Sequence, residues 1–216
     1  MRRDFTTASI AIIVFTVLLG LVYPLAVTGI SEVAFPGRAG GSTITRSGHV
    51  IGSRLIAQAF VKPVLGANGK PKVDADGNPV TTPDRRYFQP RPSQTQYNPA
   101  ATAFSNLGPN GVDTRDTIRA HIAAYLQLER PYGPLTGMQV PVDAATDTGS
   151  GVDPQISIAN ARIQSRRVAA VRSISRDDLN RLIDRYTNRR FLGLLGEPGV
   201  NVLELNLALD QKTSRQ

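Results

Sequence analysis

The clearest signal for chemistry in this 216-residue sequence is the tetrapeptide Asp147-Thr148-Gly149-Ser150. The same tetrapeptide surrounds the catalytic carboxylate of aspartic proteases, in which two aspartates share one proton. This chain has a single copy and is too short for two lobes. Residues 143–146, which should form an apolar strand, read Asp-Ala-Ala-Thr. A membrane-anchored hydrolase that uses Asp147 is therefore kept only as an alternative.

The same aspartate lies in a glycine-rich loop, residues 146–157, that leads into a predicted helix. The N-terminus of a helix presents backbone N–H groups that bind phosphate or carboxylate. The alternative is a tight turn in which Ser157 caps the helix, and the sequence leaves both interpretations open. The first interpretation predicts contacts with a nucleotide or a partner protein at Gly149, Ser150, Gly151, Asp153, Gln155 and Ser157.

Other catalytic and metal-binding motifs are missing from the sequence or incomplete. The phosphate-binding motif G-x-x-x-x-G-K-[ST] is missing from the sequence, and an EF-hand-like start at residues 74–78 is followed by Pro79 instead of glycine. His49 and His121 are the only histidines, and His121 has no metal-ligating residue four positions later. We therefore predict no catalytic residue and no metal ligand.

The chain that carries these loops begins with a long apolar segment. Residues 5–31 carry no charge and lie between Asp4 and Glu32. About 20 helical residues cross a bilayer, so we predict a transmembrane helix over residues 8–30. A signal peptide fits less well, because Tyr23 and Pro24 lie where its apolar core would continue. Small residues allow close contact with another membrane helix, which predicts packing at Gly20, Ala26 and Gly29.

Charge predicts the orientation of this helix. Arg2 and Arg3 precede it, so residues 1–7 are expected in the cytoplasm and the C-terminal domain outside it, in a periplasmic or extracellular location. The predicted fold is α+β, with a flexible linker at residues 31–48 and one soluble domain at 49–216. A segment rich in proline, glycine and asparagine, residues 62–86, is predicted to be an exposed insertion.

Three helices are predicted within the domain. One runs from Thr114, as its N-cap, to Leu128; a second runs from its cap Ser157 to Arg172, with Gln164 and the arginines facing outward; a third follows the cap Ser175. The final apolar run, residues 202–210, alternates leucine with other residues. This favours a strand, although Asn201 would also suit the start of a helix.

The chain is basic, with a formal net charge of +8. Nine arginines but only three aspartates lie between Arg162 and Arg190. An external location and the lack of aromatic or fold signatures argue against nucleic acid as a partner. This basic segment is interpreted either as a solvated face or as a contact surface for lipid headgroups or an acidic protein.

Five sequence segments resemble the KdpC family, the C subunit of the bacterial high-affinity potassium-transporting P-type ATPase. They occur in the same order as in that family. Gln155, the pair Asp147-Thr148 and Gly199 depart from the residues usual in that family. The five segments are Gly52-Ser-Arg-Leu-Ile-Ala-Gln58, Tyr87-Phe-Gln-Pro-Arg-Pro-Ser93, Ser105-Asn-Leu-Gly-Pro109, Gly149-Ser-Gly-Val-Asp-Pro-Gln-Ile-Ser157 and Leu195-Gly-Glu-Pro-Gly-Val-Asn-Val-Leu-Glu-Leu-Asn-Leu-Ala-Leu-Asp210.

The resemblance implies a non-catalytic accessory subunit in the bacterial inner membrane. Its implied partners are a potassium-conducting subunit, an ATP-hydrolysing subunit and membrane lipid, and its implied role is to assemble and stabilise the complex. Such a subunit is also implied to raise the affinity of the ATPase subunit for ATP, and only the resemblance suggests ATP as a ligand here. A solitary membrane-anchored binding module is the remaining alternative.

Overall fold

The structure is a computed structural model that describes residues 2–101 and 105–213. Two ends of the predicted regions lie outside the described residues: Met1 of the N-terminal segment and residues 214–216 of the soluble domain. The chain divides into two compact units between Ser53 and Arg54, five residues beyond the predicted start of the domain. The combination of helices and short strands confirms a mixed fold.

The N-terminal unit consists mainly of one helix of 33 residues, Arg2–Ala34, whose most apolar part has a mean hydropathy of 2.7. It comprises α1 (Arg2–Val17), a π-helical turn (Leu18–Val22) and α2 (Tyr23–Ala34). At 1.5 Å per residue it is about 50 Å long, which exceeds the roughly 30 Å of bilayer hydrocarbon. This helix is long and apolar enough to cross a membrane, and it begins and ends outside the predicted span of 8–30.

The π-helical turn ends two residues before Pro24. Proline has no backbone N–H and its ring collides with the carbonyl four residues earlier, which here belongs to Gly20. The Tyr23 N–H donates instead to the oxygen of Leu18, five residues back. The wider turn therefore absorbs the proline without ending the helix.

Residues 31–48, predicted as a flexible linker, contain regular structure. The end of α2 is followed by a helical turn, α3 (Pro36–Ala39), and by β1 (Thr43–Arg46), which pairs antiparallel with β2 (His49–Ser53). The Ser53 hydroxyl also donates to the carbonyl of Gly41 at 2.7 Å. The glycines and serines in this segment form turns between these elements, and the flexibility of the segment stays a prediction.

In the C-terminal unit, the predicted insertion is a hairpin with mostly exposed residues. Its paired strands are β3 (Val61–Pro63) and β4 (Thr81–Pro83), and single bridges join Leu65 to Pro71 and Val73 to Pro79. Within residues 62–86 only Asp84 is fully buried, and it forms an ion pair with Arg86 at 2.6 Å.

The main body of this unit packs helices around a small sheet. Its helices are α4 (Val112–Glu129), α5 (Val142–Ala145), α6 (Ile158–Arg172), α7 (Arg176–Arg185) and α8 (Val202–Thr213). The strands β5 (Gln155–Ile156), β6 (Thr187–Asn188) and β7 (Gly199–Asn201) form an antiparallel sheet in the order β5-β7-β6. The buried core consists of Phe88, Ile156, Ala161, Val168, Ala169, Ile174, Leu179, Ile183, Val200, Val202, Leu205 and Leu209.

Two of the three predicted caps are confirmed. The hydroxyls of Ser157 and Ser175 each accept a hydrogen bond from the backbone N–H three residues later, at 3.1 Å. The third cap is wrong: α4 begins at Val112 after Gly111, and the Thr114 hydroxyl donates to the carbonyl of Gly108. Thr114 therefore stabilises the turn before the helix, rather than its first free N–H groups.

The predicted C-terminal strand is also wrong, because residues 202–213 form α8. The Asn201 side chain accepts from the Glu204 N–H at 3.0 Å, as expected of a helix cap. Leucines alternate here because α8 is buried over most of its surface, including Leu203, Leu205 and Leu209. A segment buried on nearly all sides gives no reliable periodicity, so helix and strand cannot be separated by pattern.

Candidate functional site

The glycine-rich loop holds all six predicted contact residues, and it delivers the chain to the N-terminus of α6. That N-terminus already faces a carboxylate. Asp143, on α5, accepts from both the N–H and the hydroxyl of Ser157 at 2.8 Å, and from the Asn160 side chain at 2.9 Å. The positive end of the helix is thus neutralised from within the chain, at the position where an external phosphate would bind.

Other N–H groups of the loop are also occupied. Gly151 donates to the carbonyl of Thr148 at 3.3 Å, and Gln155 donates to its neighbour Asp153 at 2.9 Å. The carbonyl of Gly151 accepts from the Ser93 hydroxyl at 2.6 Å, which fastens the loop to the extended segment before it. Gly149 and Ser150 are the two candidates that face solvent, so they form the accessible part of the loop.

Two of the departures from the usual family pattern are neighbours in space. Gln155 in β5 lies across from β7, and a Cβ atom added at Gly199 would collide with the Gln155 side-chain oxygen. The small residue at position 199 therefore makes room for the amide at position 155. The two departures form one local packing arrangement.

Asp147 lies beside a histidine. Its carboxylate oxygen is 3.7 Å from His121 Nε2, and the other ring nitrogen of His121 is 3.2 Å from the carbonyl of Ala145. This contact joins α4 to the loop, a role the sequence did not indicate for His121. An aspartic protease needs a second carboxylate that shares the proton of the first, and the group beside the Asp147 carboxylate here is the His121 imidazole.

The prediction that Gln164 and the arginines of α6 face outward is wrong for two central positions. Gln164 is 1% exposed and Arg167 is fully buried. Together with Asn160, which is also buried, they occupy positions i, i+4 and i+7 and share one face of the helix. We call Asn160, Gln164 and Arg167 the buried polar row. Polar residues at helical spacing resembled a solvent-facing stripe in the sequence, although their partners lie in distant segments.

Arg167 is the centre of this row. Its guanidinium donates to Glu129 Oε1 at 2.9 Å, to the carbonyls of Arg85 and Tyr87 at 2.7 and 2.8 Å, and to Gln164 at 2.9 Å. Burial raises the pKa of Glu129 above its usual range, and the charge of Arg167 opposes that shift. The second oxygen of Glu129 has no hydrogen-bond partner among residues 2–101 and 105–213.

Two side-chain amides hold the extended segment Tyr87-Phe88-Gln89 from different helices. Gln164 of α6 accepts from the Gln89 N–H at 2.7 Å and donates to the Gln89 carbonyl at 3.0 Å. Asn206 of α8 makes the equivalent pair of bonds with Phe88, both at 2.9 Å. Each amide satisfies one donor and one acceptor of a backbone segment that is not itself part of a strand.

A cleft of about 220 Å³ opens beside the buried polar row. Burial raises the pKa of Tyr97 to about 12 and also raises that of Tyr125, and the Tyr125 hydroxyl donates to Asn160 at 2.8 Å. The polar atoms of the row are thus used within the fold. The cleft is lined by Ala59, Val61, Pro83, Gln89, Pro90, Pro92, Tyr97, His121, Ala124, Tyr125, Leu128, Glu129, Ala144, Asn160 and Gln164.

The predicted helix-packing residues are all exposed on the membrane-spanning helix; they are Gly20, Ala26 and Gly29. A Cβ atom added at either glycine would meet nothing within 4 Å. Gly20 also lies inside the π-helical turn. Among the described residues, no group of three histidine or acidic side chains could hold a metal ion.

Comparison with known proteins identifies the family. The family model described as K⁺-transporting ATPase, c chain (KdpC) matches residues 5–211. Proteins named potassium-transporting ATPase KdpC subunit are 42% identical in Mycobacterium tuberculosis, over 98% of this chain and all of the relative, and 41% identical in Rhodopseudomonas palustris, over the full length of both. A relative of the same name in Herpetosiphon aurantiacus is 40% identical over 98% of this chain and 97% of its own. The chain belongs to the KdpC family of potassium-transporting ATPase subunits.

Proposed function

We propose that this chain is a non-catalytic subunit that assembles and stabilises the potassium-conducting and ATP-hydrolysing subunits of a potassium uptake pump. The observation that carries the proposal is the family match over residues 5–211, which includes both the membrane-spanning helix and the folded domain. The internal use of Asp143, Gln164 and Arg167 supports a non-catalytic role, because groups suited to binding or acid–base chemistry hold the fold instead.

The membrane-spanning helix is proposed as one assembly surface. Without water, membrane helices associate through close packing, and small residues allow it. We expect Gly20→Leu to reduce the yield of pump subunits that co-purify with this chain. Ala8→Leu adds similar bulk at an exposed small residue outside the proposed packing set and serves as the matched control. Equal yields for both variants would contradict assembly through Gly20.

The C-terminal unit is proposed to lie outside the cytoplasm, in the periplasm or extracellular space, with the helix anchored in the inner membrane. The support is the pair Arg2 and Arg3 at the start of the helix. The chain has no cysteine, so a single introduced thiol reports its own location. A membrane-impermeant maleimide should label Met138→Cys, which is 99% exposed, in intact spheroplasts. Labelling that requires inverted vesicles would reverse the orientation.

Any effect on ATP affinity is proposed to act through assembly, without ATP bound in the glycine-rich loop. Asp143 already occupies the N-terminus of α6, and a second anion there would meet a like charge. Photolabelling of the intact complex with 8-azido-ATP should therefore mark the ATP-hydrolysing subunit and spare this chain. Labelling of this chain that is lost in Ser150→Leu, but kept in the control Gln127→Leu at an exposed polar residue of α4, would place nucleotide at the loop.

A further inference from the structure

The connection between β6 and β7 forms a hairpin tip with an exposed apolar surface. Four large side chains within five residues are between 64% and 80% exposed: Phe191, Leu192, Leu194 and Leu195. We call residues 191–195 the apolar tip. Scattered exposed leucines are ordinary on protein surfaces, but a contiguous apolar cluster marks a contact with a membrane or with another protein.

The backbone of the apolar tip is hydrogen-bonded within itself. The Phe191 N–H donates to the carbonyl of Leu195 at 2.8 Å, and the N–H groups of Leu194 and Leu195 return to the carbonyl of Phe191 at 3.1 and 3.0 Å. The Gly193 N–H donates to the carbonyl of Arg190 at 3.1 Å. Unsatisfied N–H groups are strongly unfavourable in hydrocarbon, so a tip that satisfies these donors internally is suited to an apolar medium.

Basic residues lie at the base of the tip. Arg185 ends α7, and Arg189 and Arg190 directly precede Phe191; all three are exposed. Arg190 also forms an ion pair with Glu197 at 2.9 Å, on the other side of the hairpin. Apolar side chains beyond a group of arginines match the depth profile of an anionic bilayer, in which charged headgroups lie outside the hydrocarbon.

We propose that the apolar tip inserts into the anionic lipid surface of the membrane that the N-terminal helix crosses. Arg54 is the first residue of the C-terminal unit, and the chain that joins it to the end of the helix at Ala34 reaches at most ~70 Å when fully extended. The C-terminal unit is therefore tethered to the bilayer that the helix crosses. A small apolar contact binds membranes weakly by itself, and it becomes effective when a second anchor holds it close. The tip and the helix together provide the two anchors.

The test uses the full-length chain with one cysteine carrying the fluorophore NBD. In liposomes of phosphatidylcholine and phosphatidylglycerol, NBD at Leu194→Cys should emit at shorter wavelength and be quenched at least twofold by nitroxide-labelled lipid. NBD at Met138→Cys, which is 99% exposed elsewhere in the domain, should show neither effect. Arg189→Glu with Arg190→Glu should reduce the quenching at position 194, as should liposomes of phosphatidylcholine alone.

Two outcomes would overturn the proposal. NBD at position 194 that stays fully aqueous in every lipid mixture would show that the tip does not enter the bilayer. Protection of position 194 that appears only when the other pump subunits are present, without quenching by labelled lipid, would assign the tip to a protein contact. Either result leaves the assembly through Gly20 to be judged by its own co-purification test.

Discussion

The buried polar row and the apolar tip reverse the usual distribution of side chains. The row places Asn160, Gln164 and Arg167 in the interior, where every one of these side chains contacts another part of the fold. The tip places four large apolar side chains in solvent, where they add little to the core. We infer that the row determines whether the domain folds and that the tip serves contacts outside it. Changes in the two regions should therefore separate stability from association.

The largest loss of stability is expected at Arg167. Arg167→Met would leave Glu129 buried without its charge partner, and breaking a buried ion pair from one side costs about 3–5 kcal/mol. Urea unfolding of the full chain in detergent measures this loss. Arg166→Met, a change on the same helix at a partly exposed arginine, should cost far less. Adding Glu129→Leu to Arg167→Met should recover part of the loss, and no recovery would show that the carboxylate is not the cause.

A smaller loss is expected at Asn206. Asn206→Leu would remove both hydrogen bonds to the buried backbone of Phe88, and unsatisfied buried groups cost about 1–3 kcal/mol each. The free energy of unfolding and the hydrogen exchange rate of the Phe88 amide should both report it. Gln127→Leu, at an exposed amide on α4, is the control. An unchanged exchange rate at Phe88 would separate Asn206 from the extended segment.

The two helix caps should contribute different amounts to the free energy of unfolding. Ser175→Ala removes one cap bond, for which the expected loss is about 1 kcal/mol. Ser157→Ala removes the equivalent bond and also the hydroxyl contact with Asp143, so its loss in unfolding free energy should be larger. Equal losses would mean that the contact between the Ser157 hydroxyl and Asp143 adds nothing to the start of α6.

The smallest effects on stability are expected at the apolar tip and at Asp147. Leu194→Ser changes an 80% exposed side chain, so the free energy of unfolding should stay within about 0.5 kcal/mol while lipid quenching near the tip falls. A large loss of stability would show that the apolar tip, like the buried polar row, stabilises the fold.

Asp147→Asn is expected to leave potassium-limited growth unchanged. The carboxylate contacts His121 at 3.7 Å and has no assigned catalytic role in this proposal. A chromosomal substitution compared with Asp147→Glu, which keeps the charge, measures the effect. Loss of growth with asparagine and recovery with glutamate would revive the hydrolase alternative.

Features governed by local chemistry were predictable from the sequence. The membrane-spanning helix follows from an uncharged run, and the starts of α6 and α7 follow from Ser157 and Ser175 three residues before free N–H groups. The mixed fold also followed from local patterns. The six site candidates all lie within residues 149–157, and their contacts with nucleotide or a partner stay predictions.

Features that depend on distant contacts were not predictable. Gln164 is buried because it pairs with Gln89, which lies 75 residues away, and Arg167 is buried because Glu129 is 38 residues away. The helix α8 was mistaken for a strand because its neighbours bury it on nearly all sides. Intrinsic preference and periodicity carry no information on such partners, although leucine and a preceding asparagine were local signs of a helix.

The central claim is that this chain works by association with other pump subunits. The most direct test is to purify the natural complex from potassium-limited cells through an affinity tag on this chain and to measure the mass and composition of the eluted particle. The account predicts one particle that contains this chain with a potassium-conducting and an ATP-hydrolysing subunit. Elution of this chain alone, from membranes in which those subunits are present, would contradict it.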